Sequence, residues 1–163
     1  MKAIPQPGDK EVKLNSGRLK LTMELKWQSN FALRKTKDFW RAQCFVDAEC
    51  IRYMDKYTPM RTGAMIKSVT LGTKIGSGNI VYNSPYARYQ YYGEVYGPNI
   101  PIYKDGELVR WISPSKKHPT GREIVYSKDK HQAAQKLWFE KMKSEKGDTI
   151  LRGALRIAAG GGQ

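Results

Sequence analysis

The chain has 163 residues, with 29 Lys and Arg against 15 Asp and Glu, giving a net charge of +14. That length and an apolar share of 40% suit one domain with a real core and exclude a wholly disordered chain. No apolar run reaches membrane-spanning length, and the polar residues 1–17 lack a signal-peptide stretch, which favours a cytosolic origin. The positive excess is scattered, with no run of five or six like charges. It reads equally as a solvated surface and as a face for nucleic acid or an acidic partner.

Residues 1–17, with Pro5, Pro7 and Gly8, read as a flexible arm ahead of a single domain over 18–159. Over 19–27 the pattern alternates strictly: Leu19, Leu21, Met23, Leu25 and Trp27 on one side, Lys20, Thr22, Glu24 and Lys26 on the other. This predicts a strand with one buried face. Gln28-Ser29-Asn30 supplies a turn and a helix cap. A long helix is then expected over 31–57, where Phe39, Val46, Cys50, Tyr53 and Tyr57 recur at three- or four-residue steps. Such a stripe needs a partner, and the strand over 19–27 points to a sheet lying beneath it.

Pro59 lacks a helical donor and pushes Thr58 out of the α region, so the helix should stop there. Thr62 is placed to cap a short helix, with Gly63 leaving the turn uncrowded. Residues 68–75 and 79–83 read as two strands joined by Gly76-Ser77-Gly78. Ser84-Pro85 opens a further short helix carrying Tyr86, Tyr89, Tyr91 and Tyr92. Seven of the ten tyrosines lie between Tyr82 and Tyr103, a density that suits a protein interface, although core packing is the expectation for any one of them. Residues 93–121 form an excursion from the domain. In it Asp105-Gly106 predicts a hairpin turn, with Val109, Trp111 and Ile112 on the return strand. A strand over 123–127, a helix over 131–143 ended by Gly147, a last helix capped by Asp148, and a floppy tail over 160–163 complete the reading.

Chemistry is hard to assemble from these residues. Cys44 and Cys50 sit six apart on one helix and point to different faces, which disfavours both a disulfide and a shared metal. His118 and His131 have no zinc-like spacing and no acid placed to orient them as bases. Asp47 and Glu49 are two apart on a helix and do not face each other. Gly72 to Gly78 lacks the lysine-serine ending of a phosphate loop. The sequence therefore implies no enzyme, no cofactor and no metal.

The order and spacing of Pro59, Thr62-Gly63 and Ser68, then Tyr86-Ala87 and Gly93, resemble the minor capsid and tail-completion proteins of tailed bacteriophages. Tyr126-Ser127-Lys128 and the stretch Trp138-Phe139-Glu140-Lys141-Met142 extend the likeness to most of the chain. The resemblance implies a structural virion protein of the head-to-tail connection, built in the host cytoplasm and acting without chemistry. Its partners would be identical subunits in a ring and neighbouring connector, stopper or tail-terminator proteins, with DNA passing through and no membrane. A basic, sequence-indifferent nucleic-acid-binding module is the alternative.

The expected fold is α+β: a mostly antiparallel sheet with one long helix packed across it, a projecting hairpin and two C-terminal helices. Candidate interface residues are Tyr89, Tyr91, Tyr92, Tyr96, Tyr103 and Trp111. Lys104, Arg110, Lys116 and Lys117 are the candidates to face DNA or a partner.

Overall fold

The computed structural model describes residues 3–97, 99–113 and 117–160, and its fold is α+β with antiparallel strand pairs. The first pair is β1 (Lys10–Ser16) and β2 (Leu19–Leu25), joined by Gly17-Arg18. Seven of the 17 residues of the expected flexible arm are thus a strand, because Val12 and Leu14 continue the alternation of β2 across the turn. The rest of the arm is tied down too. Asp9 accepts from the Trp27 amide at 3.0 Å, and Thr36 Oγ1 accepts from the Ile4 amide at 3.0 Å.

Helix α1 (Phe31–Met54) begins where its sequence predicts and reaches the expected end at Tyr57 only through a 3₁₀ turn, and its cap comes from elsewhere. Asn30 makes no side-chain cap; Gln6 Oε1 accepts from the Ala32 amide at 3.1 Å, satisfying a first-turn donor from the arm. A single 3₁₀ turn, Asp55–Tyr57, leads to Thr58, whose extended backbone before Pro59 closes the helix. Thr58 is fully buried and donates its hydroxyl to the Met54 carbonyl at 3.0 Å.

Three expectations fail in the next segment. Residues 68–72 are not a strand: α2 runs Ala64–Gly72, since Met65, Ile66 and Val69 repeat at helical spacing. Residues 79–83 pair with no strand; Thr73 Oγ1 instead receives the Val81 amide at 3.0 Å. Thr62 is no helix cap either, with its hydroxyl 3.5 Å from the Ala64 amide. Gly63, in the left-handed region at φ 79°, turns the chain into α2.

Helix α3 (Ala87–Tyr92) ends on Gly93, again left-handed at φ 77°. Beyond it β3 (Glu94–Gly97) pairs with β6 (His118–Glu123), and β4 (Ile100–Lys104) pairs with β5 (Glu107–Ile112) around Asp105-Gly106. The expected strand over 123–127 therefore lies earlier, and the last residues of the excursion expected over 93–121 belong to that strand. Both turn residues of the β4–β5 hairpin have positive φ, 52° and 85°, as a tight two-residue turn requires.

The C-terminal region holds one helix, not two: α4 (Trp138–Ala158) passes through Gly147 and Asp148 without a break. Its partner explains this. Helix α4 lies antiparallel along α1, with the Phe45 ring against Gly153 and the Lys35 Nζ reaching the Ala158 carbonyl at 3.1 Å. A continuous apolar seam outweighs the roughly 1 kcal/mol propensity cost of a mid-helix glycine. The long helix accordingly packs on α4 and not across a sheet; the three strand pairs stay separate.

The core sits at one end of this helix pair. Cys50, Met54, Tyr57, Trp138, Met142 and Ile150 form it, with the Tyr82 and Tyr91 rings edge-on to Trp138 at 5.5 and 4.8 Å. Burying Trp138 alone stabilises the fold by on the order of 3 kcal/mol.

Candidate assembly surfaces

The motif residues group around one turn of structure rather than around a reactive centre. Pro59, Thr62, Gly63 and Tyr86 line a hollow of about 510 Å³ together with Val125 and Tyr126. Ala87 is buried, and Ser68 donates to the Met65 carbonyl within α2 at 2.7 Å. Gly93 is needed for space as well as for its φ. A Cβ there would come within 2.9 Å of Lys136 Cδ and 3.1 Å of Tyr126 Oη, which itself donates to the Gln90 carbonyl at 2.5 Å. The segment after β6 is strapped down nearby: the Ile124 amide donates to Gly93, Leu137 to Tyr91 and Gln135 to Tyr57. His131 Nδ1 lies 2.8 Å from the Thr58 carbonyl, so this histidine is a partly buried structural group.

The aromatic candidates divide into two populations. Tyr91 belongs to the core edge against Trp138, and burial raises its phenol pKa. Tyr89 and Tyr96 stack on each other with centroids 4.6 Å apart, both half-buried. Tyr92, Tyr103 and Trp111 are open to solvent. The register of the β4–β5 hairpin places Tyr103 and Trp111 on one face with Pro101 and Leu108. Lys104 and Arg110 share its other face with Ile100, Ile102 and Ile112. Lys117 lies apart, just before β6, and Lys116 falls outside the described residues.

A second exposed apolar face escaped the sequence reading. In the β1–β2 hairpin Val12 pairs with Met23, Leu14 with Leu21, and Ser16 with Leu19. Residues directly opposite one another share a face. Val12, Leu14, Leu19, Leu21, Met23 and Leu25 therefore form one continuous apolar surface, whose exposures run from 44% at Leu21 to 66% at Leu19. The opposite face carries Glu11, Lys13, Asn15, Lys20, Thr22 and Glu24. Alternation over 19–27 was the visible signal, and it was assigned to burial within the chain.

The other group missed is Asp47. It is 2% exposed, and its carboxyl accepts from the Gly76 amide at 2.8 Å, the Gly78 amide at 3.1 Å and Gln43 Nε2 at 2.7 Å. Two amides converging from a glycine turn make a small anion-binding nest, here filled by the protein's own side chain. Gly76, at φ 87°, could not carry a Cβ, which would stand 2.9 Å from Trp40 Nε1 and 3.0 Å from Cys44 Sγ.

None of these groups is arranged for catalysis. Burial, with Asp47 and Glu49 nearby, pushes the Cys50 thiol up, away from the thiolate a nucleophile requires. Cys44 and Cys50 are both free thiols. Glu145 has the strongest carboxyl perturbation, down to about 2, because Tyr57 Oη donates to it and Lys141 lies 2.9 Å away. It ties α4 to the end of α1. Among the described residues no three His, Cys, Asp or Glu side chains converge as metal ligands would, and no helix is long and apolar enough to cross a membrane.

What the surface offers is thus exposed apolar area on two hairpins beside a small, internally locked core. No curated protein and no solved structure matches the chain. The family model for minor capsid proteins matches residues 19–156, from the start of β2 almost to the end of α4. The chain belongs to this minor capsid protein family of bacteriophages, and it is a structural protein of the virion.

Proposed function

We propose that the chain is a ring-forming subunit of the head-to-tail connection, placed at the neck and assembled from identical copies in the host cytoplasm. The observation that carries this reading is the pair of hairpins, β1–β2 and β4–β5, most of whose apolar side chains are exposed among the described residues. A two-stranded ribbon alone in water is marginal, and a neighbour that covers its apolar face completes it. A closed ring of identical subunits needs two different patches, one on each side, meeting head to tail. Two hairpins of unlike surface supply such a pair: β1–β2 is apolar on one face only, while β4–β5 carries apolar residues on both. Stopper, tail-terminator or other connector proteins would take the ring's remaining faces, and DNA would pass through its lumen.

Replacing residues 99–113 by a short Gly-Ser linker tests the reading in assembling phage. The expected result is a folded subunit whose heads fill with DNA but do not join tails. Joined, infectious particles carrying the folded deletion variant would overturn it.

A further inference from the structure

The antiparallel packing of α1 and α4 brings together cations that are far apart in sequence. The first turns of α1 carry Arg34, Lys35, Lys37 and Arg41, and the last turns of α4 carry Arg152 and Arg156. Asp38 is the one acid among residues 31–41, and residues 149–160 contain none. Two hollows lie along this end of the helix pair. One, of about 750 Å³, is lined by Arg34, Lys37 and Arg41, with the Lys35–Asp38 pair and with Ala159 and Gly160 at the end of α4. The other, of about 470 Å³, holds Arg152 and Arg156 around the Phe45 ring.

The charges here are available. Lys35 is spent within the fold, bonded to the Ala158 carbonyl and 3.6 Å from Asp38. Among the described residues Arg34 bonds neutral Gln28, at 2.6 Å, and no carboxylate. Lys37, Arg41, Arg152 and Arg156 are exposed, and among the described residues no carboxylate pairs with any of them. Some basic groups elsewhere are offset by acids: Arg52 is held by Glu49 at 2.5 Å, Lys136 by Glu123 at 2.6 Å, and Lys141 by Glu145 at 2.9 Å. The N-terminus of α1 and the C-terminus of α4 lie at the same end, so their opposite dipoles offset each other and the side chains set the sign.

We infer that this end of the α1–α4 pair is the chain's contact surface for the phosphate backbone of duplex DNA. The inference deepens the connector reading and moves the DNA contact away from the β4–β5 hairpin. Regular helices hold the cations along a rigid ridge, which suits a row of phosphates. Long flexible side chains with no fixed amide or carboxylate partner provide charge without base discrimination. Contact with passing DNA is therefore weak and indifferent to sequence.

The test uses the full chain and a fluorescent 30-base-pair duplex, titrated at 50 and 200 mM salt. Lys37→Gln/Arg41→Gln/Arg152→Gln/Arg156→Gln should weaken binding about tenfold or more at the lower salt. It should also flatten the salt slope by about 3 to 4, near 0.9 for each lost phosphate contact. The charge-matched variant Lys104→Gln/Arg110→Gln/Lys117→Gln/Arg122→Gln should change affinity less than about threefold, and the slope by less than 1. Thermal melting checks that both fold; Arg152→Gln/Arg156→Gln, expected to remove about half of the slope change, serves if the quadruple variant does not.

Three results overturn the inference: no binding by the parent chain at 50 mM salt, equal losses in the two quadruple variants, or displacement of the duplex by polyglutamate at equal charge. The last would assign the face to an acidic protein. Heads and tails that still join with the helix-face variant would leave the connector reading standing, so the two can fail separately.

Discussion

The seam between α1 and α4 and the β1–β2 hairpin use similar residues to opposite ends. Along the seam Met54, Trp138, Met142 and Ile150 are buried, and a glycine at 153 lets Phe45 lie against the helix backbone. On the hairpin Leu14, Leu19, Leu21 and Met23 stand in water on a ribbon held at its base by Asp9. An apolar stripe therefore says only that something must cover it. Whether the cover lies in the same chain depends on what the chain can bring there, and α4 packs along α1 while the hairpin's apolar side chains stay 44% to 66% exposed. If this contrast is right, substitutions in the first region should unfold the subunit, and substitutions in the second should leave it folded and unable to assemble.

The largest expected effect is at Asp47. Asp47→Ala strands the Gly76 and Gly78 amides and the Gln43 amide, all donors to it now. At about 1–3 kcal/mol for each buried group left unpaired, partly recovered by water at the loop, the loss should be about 3 kcal/mol in urea unfolding. A change below about 0.5 kcal/mol, the range of ordinary surface substitutions, would mean that the loop is not locked to α1.

Gly63 and Thr62 come next and separate two readings of one motif. Gly63→Ala should cost about 1–2 kcal/mol, because its φ of 79° is left-handed and the new Cβ would meet Met60 at 3.4 Å. Thr62→Ala should cost less than about 0.5 kcal/mol, not the roughly 1 kcal/mol of a lost helix cap, since its hydroxyl is not placed as one. Equal losses at both positions would restore Thr62 as a cap.

Much of the fold was legible because local chemistry announced it. Thr58-Pro59 stops α1 where expected, and Asp105-Gly106 makes its hairpin. The failures share a cause, which is partners distant in sequence. Gly147 reads as a helix end until α1 lies alongside α4, and Val69-Thr70 reads as β-branched strand until Met65 and Ile66 are counted with them. Gly76-Ser77-Gly78 reads as a hairpin turn, yet an aspartate 29 residues earlier holds it. The tyrosine run was legible as a cluster but not as two populations, since only the fold puts Tyr91 on Trp138 and leaves Tyr92 outside. The basic face was illegible for the same reason, its two halves lying more than a hundred residues apart.

A smaller effect comes from Glu145, which sharpens the helix-pair side of the comparison. Its carboxyl is held at about 2 by the Tyr57 hydroxyl and Lys141, below the ordinary value near 4.5. A depressed carboxyl pKa contributes stability that is present above the unfolded value and lost as pH falls through the folded one. The melting temperature should therefore decline between about pH 4.5 and 2, and Glu145→Gln should flatten part of that decline while lowering stability at neutral pH. The site is open to solvent, so the change is small and shrinks with added salt. A parent and variant with superimposable pH profiles would show that the contact ties α4 to α1 only nominally.

The smallest effect on stability should accompany the largest effect on assembly. In Leu14→Ser/Leu21→Ser, two directly paired side chains on the apolar face of β1–β2 become polar. Both are about half exposed in the free subunit, Leu14 at 55% and Leu21 at 44%, so little burial is lost. Strand preference changes by a few tenths of a kcal/mol, and urea unfolding should shift by no more than about 0.5 kcal/mol. If a neighbour covers that face, each leucine is worth about 1.5–3 kcal/mol at the interface, a cost incurred at every joint of a ring. Assembled rings or joined particles should then be absent while the subunit stays monomeric, soluble and folded. A large drop in subunit stability would instead mean that the hairpin packs within its own chain, and the contrast between the two regions would fall with it.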